Sequence, residues 1–114
     1  MKSKVHYLFD IFDVEQEIDD IAFWNVTVEK FCNSIGHKIL SSNHHLFSPS
    51  GLTIVYILSE SHLAIHTWPE DRFIAFEVFT CKAINKYEEL FNTLLSFLGS
   101  GRGILKVINR GYIE

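Results

Sequence analysis

Between Ser59 and Glu70 the chain reads Ser-Glu-Ser-His-Leu-Ala-Ile-His-Thr-Trp-Pro-Glu, which packs hydroxyls, two imidazoles, an indole and two carboxylates into twelve residues. A strand that serves only a core has no need of so many ionisable groups in succession. Histidine moves protons near neutral pH, and a serine hydroxyl becomes a nucleophile once its proton is taken. Ser61 alone would read as a solvated hydroxyl; its company is what points to chemistry. Cys81 closes the apolar run Phe73–Thr80, at a strand end where a side chain can leave the sheet. Cys32 falls on a helical apolar stripe and reads as packing. Paired histidines also raise the question of zinc. His62 and His66 lie about 13 Å apart on a strand, too far for one ion, and adjacent His44 and His45 face opposite ways. No metal site is expected.

The elements that must position these groups follow from the spacing of apolar residues. Val5–Val14 reads as a strand. Ile18, Ile21, Ala22, Val28, Phe31, Cys32 and Ile35 have helical spacing, with Asp19 and Asp20 at the start and Gly36 as the stop. His37–Phe47 reads as a second strand, and Ser48–Gly51 as a turn. Leu52–Leu58 is apolar on both parities, which predicts a central strand covered on both faces. His62–Trp68 and Phe73–Thr80 are two further strands, parted at Pro69–Arg72. Tyr87, Leu90, Phe91, Leu94, Leu95 and Leu98 form one face of a second helix that stops at Gly99, and Gly103–Arg110 is a closing strand. The order β-α-β-β-β-β-α-β, with short turns between the middle strands, requires antiparallel pairing there. The expected fold is α+β, a largely antiparallel sheet with two helices on one face. Ser61 and His66 differ in parity, so a regular strand sets them on opposite faces. A bend at Glu60–Ser61 or a bulge is needed to unite them.

The 114 residues suit one domain, 1–114, with a modest core. A content of 47% hydrophobic and 14% aromatic residues exceeds what a small monomer hides easily and hints at an oligomer. The net charge of −4, with no basic run, argues against nucleic acid or an anionic membrane and slightly favours a cationic ligand. No apolar stretch approaches membrane-spanning length, and Met1–Lys4 is not followed by a signal-peptide core. Two cysteines give no disulfide framework, so a reducing cytoplasm is expected.

The string Glu60-Ser61-His62-Leu63-Ala64-Ile65-His66-Thr67-Trp68-Pro69-Glu70, continued by Phe79-Thr80-Cys81, resembles the signature of the S-adenosylmethionine decarboxylases, and the likeness covers most of Phe47–Cys81. The resemblance implies a sandwich fold, a homodimer, and self-cleavage between Glu60 and Ser61 into a 1–60 beta chain and a 61–114 alpha chain. It implies that Ser61 becomes a pyruvoyl group, which decarboxylates S-adenosylmethionine through a Schiff base to make the aminopropyl donor for spermidine. By the same resemblance His66 acts in processing, Thr53 supplies a hydroxyl where the family usually has serine, and Cys81 donates the proton that quenches the carbanion. Phe47, Trp68 and Glu70 match positions near the nucleoside. Ile54, Glu77 and Lys82 replace a small residue, an aspartate and a glycine of the usual pattern. Two alternatives stay open: a pyruvoyl decarboxylase of ornithine or arginine on the same scaffold, and an unprocessed, non-catalytic binding homologue.

Overall fold

Strict alternation of buried residues in β1 (Lys4–Phe12) and β5 (Phe73–Thr80) makes one face of each strand apolar and drives it against a second layer. The computed structural model describes residues 4–111; the ends of the expected domain, 1–3 and 112–114, lie outside the described residues. Between these strands come α1 (Ile21–Ser34), β2 (Ile39–Leu46), β3 (Leu52–Leu58) and β4 (Ser61–Trp68), and after them α2 (Tyr87–Leu98) and β6 (Arg102–Arg110). All strand pairs are antiparallel, in the order β2-β3-β4-β5-β1-β6. This is the expected α+β architecture, with the helices packed over one face.

The core lies between that face and the helices. Phe91 of α2 meets Phe9, Phe31 and Phe76 at ring separations of 5.0, 5.5 and 6.1 Å, so one aromatic joins both helices to two central strands. Tyr7 is buried as well, and its hydroxyl accepts a 2.8 Å hydrogen bond from the backbone of Ile84. Trp24 is fully buried because its indole N–H finds the carbonyl of Ile18 at 2.8 Å.

Several boundaries differ from the sequence reading. β1 stops at Phe12, since Asp13 takes a φ of 60° and turns the chain; Val14 is nonetheless buried. α1 starts at Ile21 and not at Ile18, because the Asp20 carboxylate caps it by accepting from Phe23 N at 3.0 Å. β2 begins at Ile39, and Phe47 lies just past its end, where its N–H bonds Gly51 O at 2.8 Å to close the turn. The larger correction concerns β3. Leu52, Ile54, Tyr56 and Leu58 are buried, but Val55 and Ile57 are 37% and 47% exposed. Both helices sit on one side, so among the described residues nothing covers the other face of this strand.

Truncating Phe91 to alanine removes the ring shared by both helices. It is expected to cost about 3–5 kcal/mol, measured as a lower urea midpoint with the far-ultraviolet spectrum retained below it.

Candidate active site

Leu58 pairs with Ser61, so Ser59 and Glu60 form a two-residue turn between β3 and β4. Ser61 enters the strand with φ of 128°, a region that L-residues rarely occupy. Strain of this kind amounts to about 1–3 kcal/mol and persists only where surrounding contacts enforce it. The contacts are present. Ser59 N donates to Lys38 O at 2.8 Å, and Lys38 N donates to Ser59 Oγ at 3.0 Å, tying the turn to the segment ahead of β2. On the other side Ser61 is opposite Thr80, the last residue of β5. The buried Thr80 hydroxyl donates to Lys82 O, which bends the chain and leaves Cys81 exposed. The Cys81 thiol then lies 3.6 Å from the carbonyl oxygen of Glu60. Glu60, Ser61 and Cys81 therefore meet at one end of the sheet.

The remaining candidates gather at the other end of β4. Thr53 Oγ1 lies 3.0 Å from His66 Nδ1, across the β3–β4 ladder. The His66 and Trp68 rings are 6.1 Å apart, and a cavity of about 350 Å³ opens among Phe47, Thr53, His66, Trp68 and Glu70. Glu70 accepts a 2.9 Å hydrogen bond from Ser50 Oγ. Asp19 holds the floor: it accepts from Thr67 Oγ1 at 2.6 Å and from Gly51 N at 2.8 Å, while Thr67 Oγ1 accepts from Leu52 N at 2.8 Å. The sequence reading gave Asp19 to the helix start. Its spacing to Gly51 and Thr67 carries no local signal, because the contact is made only by the folded sheet.

No bend or bulge unites the two groups. β4 pairs with β3 and β5 in unbroken register from Ser61 to Trp68. Ser61 shares its face with Leu58 and Thr80, both buried under the helices, whereas His66 shares the helix-free face with Thr53 and Ala75. Five residues of strand separate them by roughly 17 Å. The parity difference thus stands, and one chain does not bring Ser61 and His66 together.

Register also produces a cluster that spacing along the chain did not reveal. His6, His62 and Glu77, on three adjacent strands, bring their ligand atoms within 4.8 Å of one another. His6 Nε2 is 3.3 Å and His62 Nε2 3.9 Å from the Glu77 carboxylate, and Phe79 packs against both rings. The three side chains lie together on the helix-free face. Cys32 is the packing residue that its stripe suggested: it is buried, and burial pushes its thiol up to about 11.

The family described as S-adenosylmethionine decarboxylase matches residues 5–111. The S-adenosylmethionine decarboxylase proenzyme of Pseudomonas aeruginosa is 37% identical over 110 residues, 96% of this chain and 68% of that protein. The proenzyme of Methanococcus aeolicus is 34% identical over 107 residues, 93% of this chain and 92% of that one. Among solved structures, the adenosylmethionine decarboxylase from Aquifex aeolicus superposes with a TM-score of 0.83 at 29% identity, covering 99% of this chain and 94% of that one.

The two thiols should differ sharply in reactivity. A maleimide added to the native protein at neutral pH should label Cys81 at once and leave Cys32 unlabelled until denaturant is added, as peptide mass mapping would read directly. Equal labelling of both would contradict the burial described.

Proposed function

The chain belongs to the S-adenosylmethionine decarboxylase family, and on that premise we propose that it is a proenzyme that cuts its own backbone between Glu60 and Ser61. The observation that carries this reading is the Cys81 thiol beside the Glu60 carbonyl, next to a serine held at positive φ. Attack of Ser61 Oγ on the Glu60 carbonyl carbon converts the amide into an ester. The thiol is placed to donate a hydrogen bond to the carbonyl oxygen as charge builds on it. Removal of the Ser61 α-proton then expels Glu60 as a carboxylate and leaves dehydroalanine, which one water hydrolyses to a ketone and ammonia. Release of strain at Ser61 favours the forward direction.

The turn residues fit the resulting pyruvoyl group, since Ser61 would be the first residue of 61–114 with the exposed Cys81 beside it. A ketone there supplies the electron sink for decarboxylation that no ordinary side chain provides. Cys81 is the residue that we assign to return a proton to the substrate carbon.

The separation of the two residue groups supports a homodimer whose sites are completed in trans. His66 cannot reach Ser61 of its own chain, but the helix-free face carrying His66 and Thr53 also exposes Val55, Ile57, Trp68, Ile104 and Ile108. Burying these apolar groups against a second copy is favourable, and two-fold symmetry then pairs unlike ends of β4. In this assembly the partner subunit's His66 takes the Ser61 α-proton. The partner subunit's Phe47, Trp68 and Glu70 receive the nucleoside of S-adenosylmethionine, with aromatic faces for the sulfonium and a carboxylate for ribose hydroxyls. The product is the aminopropyl donor for spermidine. Among the described residues no helix is long and apolar enough to cross a membrane, and the two free cysteines support the reducing cytoplasm.

Intact mass and denaturing electrophoresis should show fragments 1–60 and 61–114, the second with a blocked N-terminus, and Ser61→Ala should stay whole. Full activity in a preparation of whole chains would end the proposal. Co-expression of Ser61→Ala with His66→Ala tests the trans arrangement. Each mixed dimer then holds one site with both residues, so roughly a quarter of sites should process by random assortment; no processing means the pair acts within one chain. Carboxyl-labelled S-adenosylmethionine should release carbon dioxide, and release from ornithine or arginine alone would overturn the substrate.

A further inference from the structure

Glu60 contributes its backbone carbonyl to the chemistry above, and its side chain has a polar neighbour of its own. Its carboxylate lies 3.6 Å from Nδ1 of His37, whose side chain is only 4% exposed. That nitrogen is buried and, among the described residues, has no hydrogen-bond partner. A buried polar atom without a partner is costly, and 3.6 Å is just beyond hydrogen-bond length, so a small swing of the half-exposed Glu60 side chain satisfies it. The backbone of His37 is itself fixed, with its N–H on Cys32 O at 2.9 Å at the end of α1, where Gly36 takes φ of 72°. The next residue, Lys38, makes the two bonds to Ser59 already described.

We propose that His37 is a positioning residue for self-cleavage: it holds the Glu60 side chain so that the Glu60–Ser61 peptide plane faces the Ser61 hydroxyl. The inference rests on the self-cleavage reading. Three tethers then converge on one peptide unit. Lys38 fixes Ser59, His37 fixes the Glu60 side chain, and Cys81 meets the Glu60 carbonyl oxygen. Attack on a carbonyl needs the nucleophile aligned with it, and freedom about Glu60 ψ would dilute that alignment. The two polar contacts of His37, with Cys32 O and the Glu60 carboxylate, lie upstream of the bond that is cut, so its effect falls on cleavage and not on turnover. Glu29 borders a cavity with His37 and is the rival carboxylate, while Lys82 borders a second cavity beside it.

The test follows cleavage of freshly translated full-length chain by electrophoresis. His37→Phe keeps a ring in the buried slot and removes the nitrogen; it should slow the first-order rate about tenfold. His37→Gln should recover part of the loss and provides the reading if the phenyl ring prevents folding. Glu60→Gln should also slow cleavage, and the His37→Phe/Glu60→Gln double variant should be no slower than the slower single one. Glu29→Gln should cleave normally. Carbon dioxide release per mole of ketone in fully processed His37→Phe should change by less than about twofold. Wild-type cleavage in both His37 variants, additive losses in the double variant, or turnover per ketone falling in step with cleavage would each overturn the proposal. Wild-type chain that never cuts would instead remove the self-cleavage reading beneath it.

Discussion

The register of β4 is the constraint on which the candidate site depends, and the Ser59–Glu60 turn sets it. With Leu58 opposite Ser61, each later pair is fixed: Tyr56 with Leu63, Ile54 with Ile65, Thr53 with His66. The same strand, read against β5, puts Ser61 opposite Thr80 and hence Cys81 beside Glu60. A slip of one residue would turn Leu63 and Ile65 to water and His62 and His66 into the core. That error would bury two imidazoles beneath the helices, a cost that the correct register avoids. A short turn tied to Lys38 therefore governs groups at both ends of an eight-residue strand.

Much of this was legible in the sequence because hydrophobic periodicity reports on burial. Apolar-rich runs marked β1, β3 and β5 as strands, although burial alternates along each only in the folded chain, and α2 shows its buried face in Phe91, Leu94 and Leu98. Helix ends were less legible, since Asp19 and Asp20 are equally good caps by residue type. Only the folded chain shows that Asp20 caps while Asp19 reaches across to Thr67 and Gly51. Site residues adjacent in sequence could be named from the chain, whereas their grouping could not. Parity predicted opposite faces for Ser61 and His66, and the unbroken ladder keeps them there. The His6–His62–Glu77 cluster escaped for the same reason: it depends on which strands are neighbours.

The apolar run of β3 carries a second lesson. A strand apolar on both parities reads as one covered twice, and here the described residues supply one cover. Val55 and Ile57 share the open face with His66 and Thr53, so exposed apolar surface and candidate site residues coincide. Periodicity reports that a face must be hidden, not which molecule hides it.

The strand order has a consequence of its own for a chain cut after Glu60. Residues 1–60 supply β1, β2 and β3, yet β1 is threaded between β5 and β6 of the other piece. Three of the five ladders, β3–β4, β5–β1 and β1–β6, would join different polypeptides. The halves are interleaved like the fingers of two hands, and a nick at the turn leaves every ladder intact. Such a molecule acts as a ratchet. Before such a cut it would refold as one chain; afterwards its pieces would have to find each other by diffusion, and recovery from unfolding would depend on concentration. Folding would have to come first, and once the bond was broken the native sheet would be the record of how the two pieces fit.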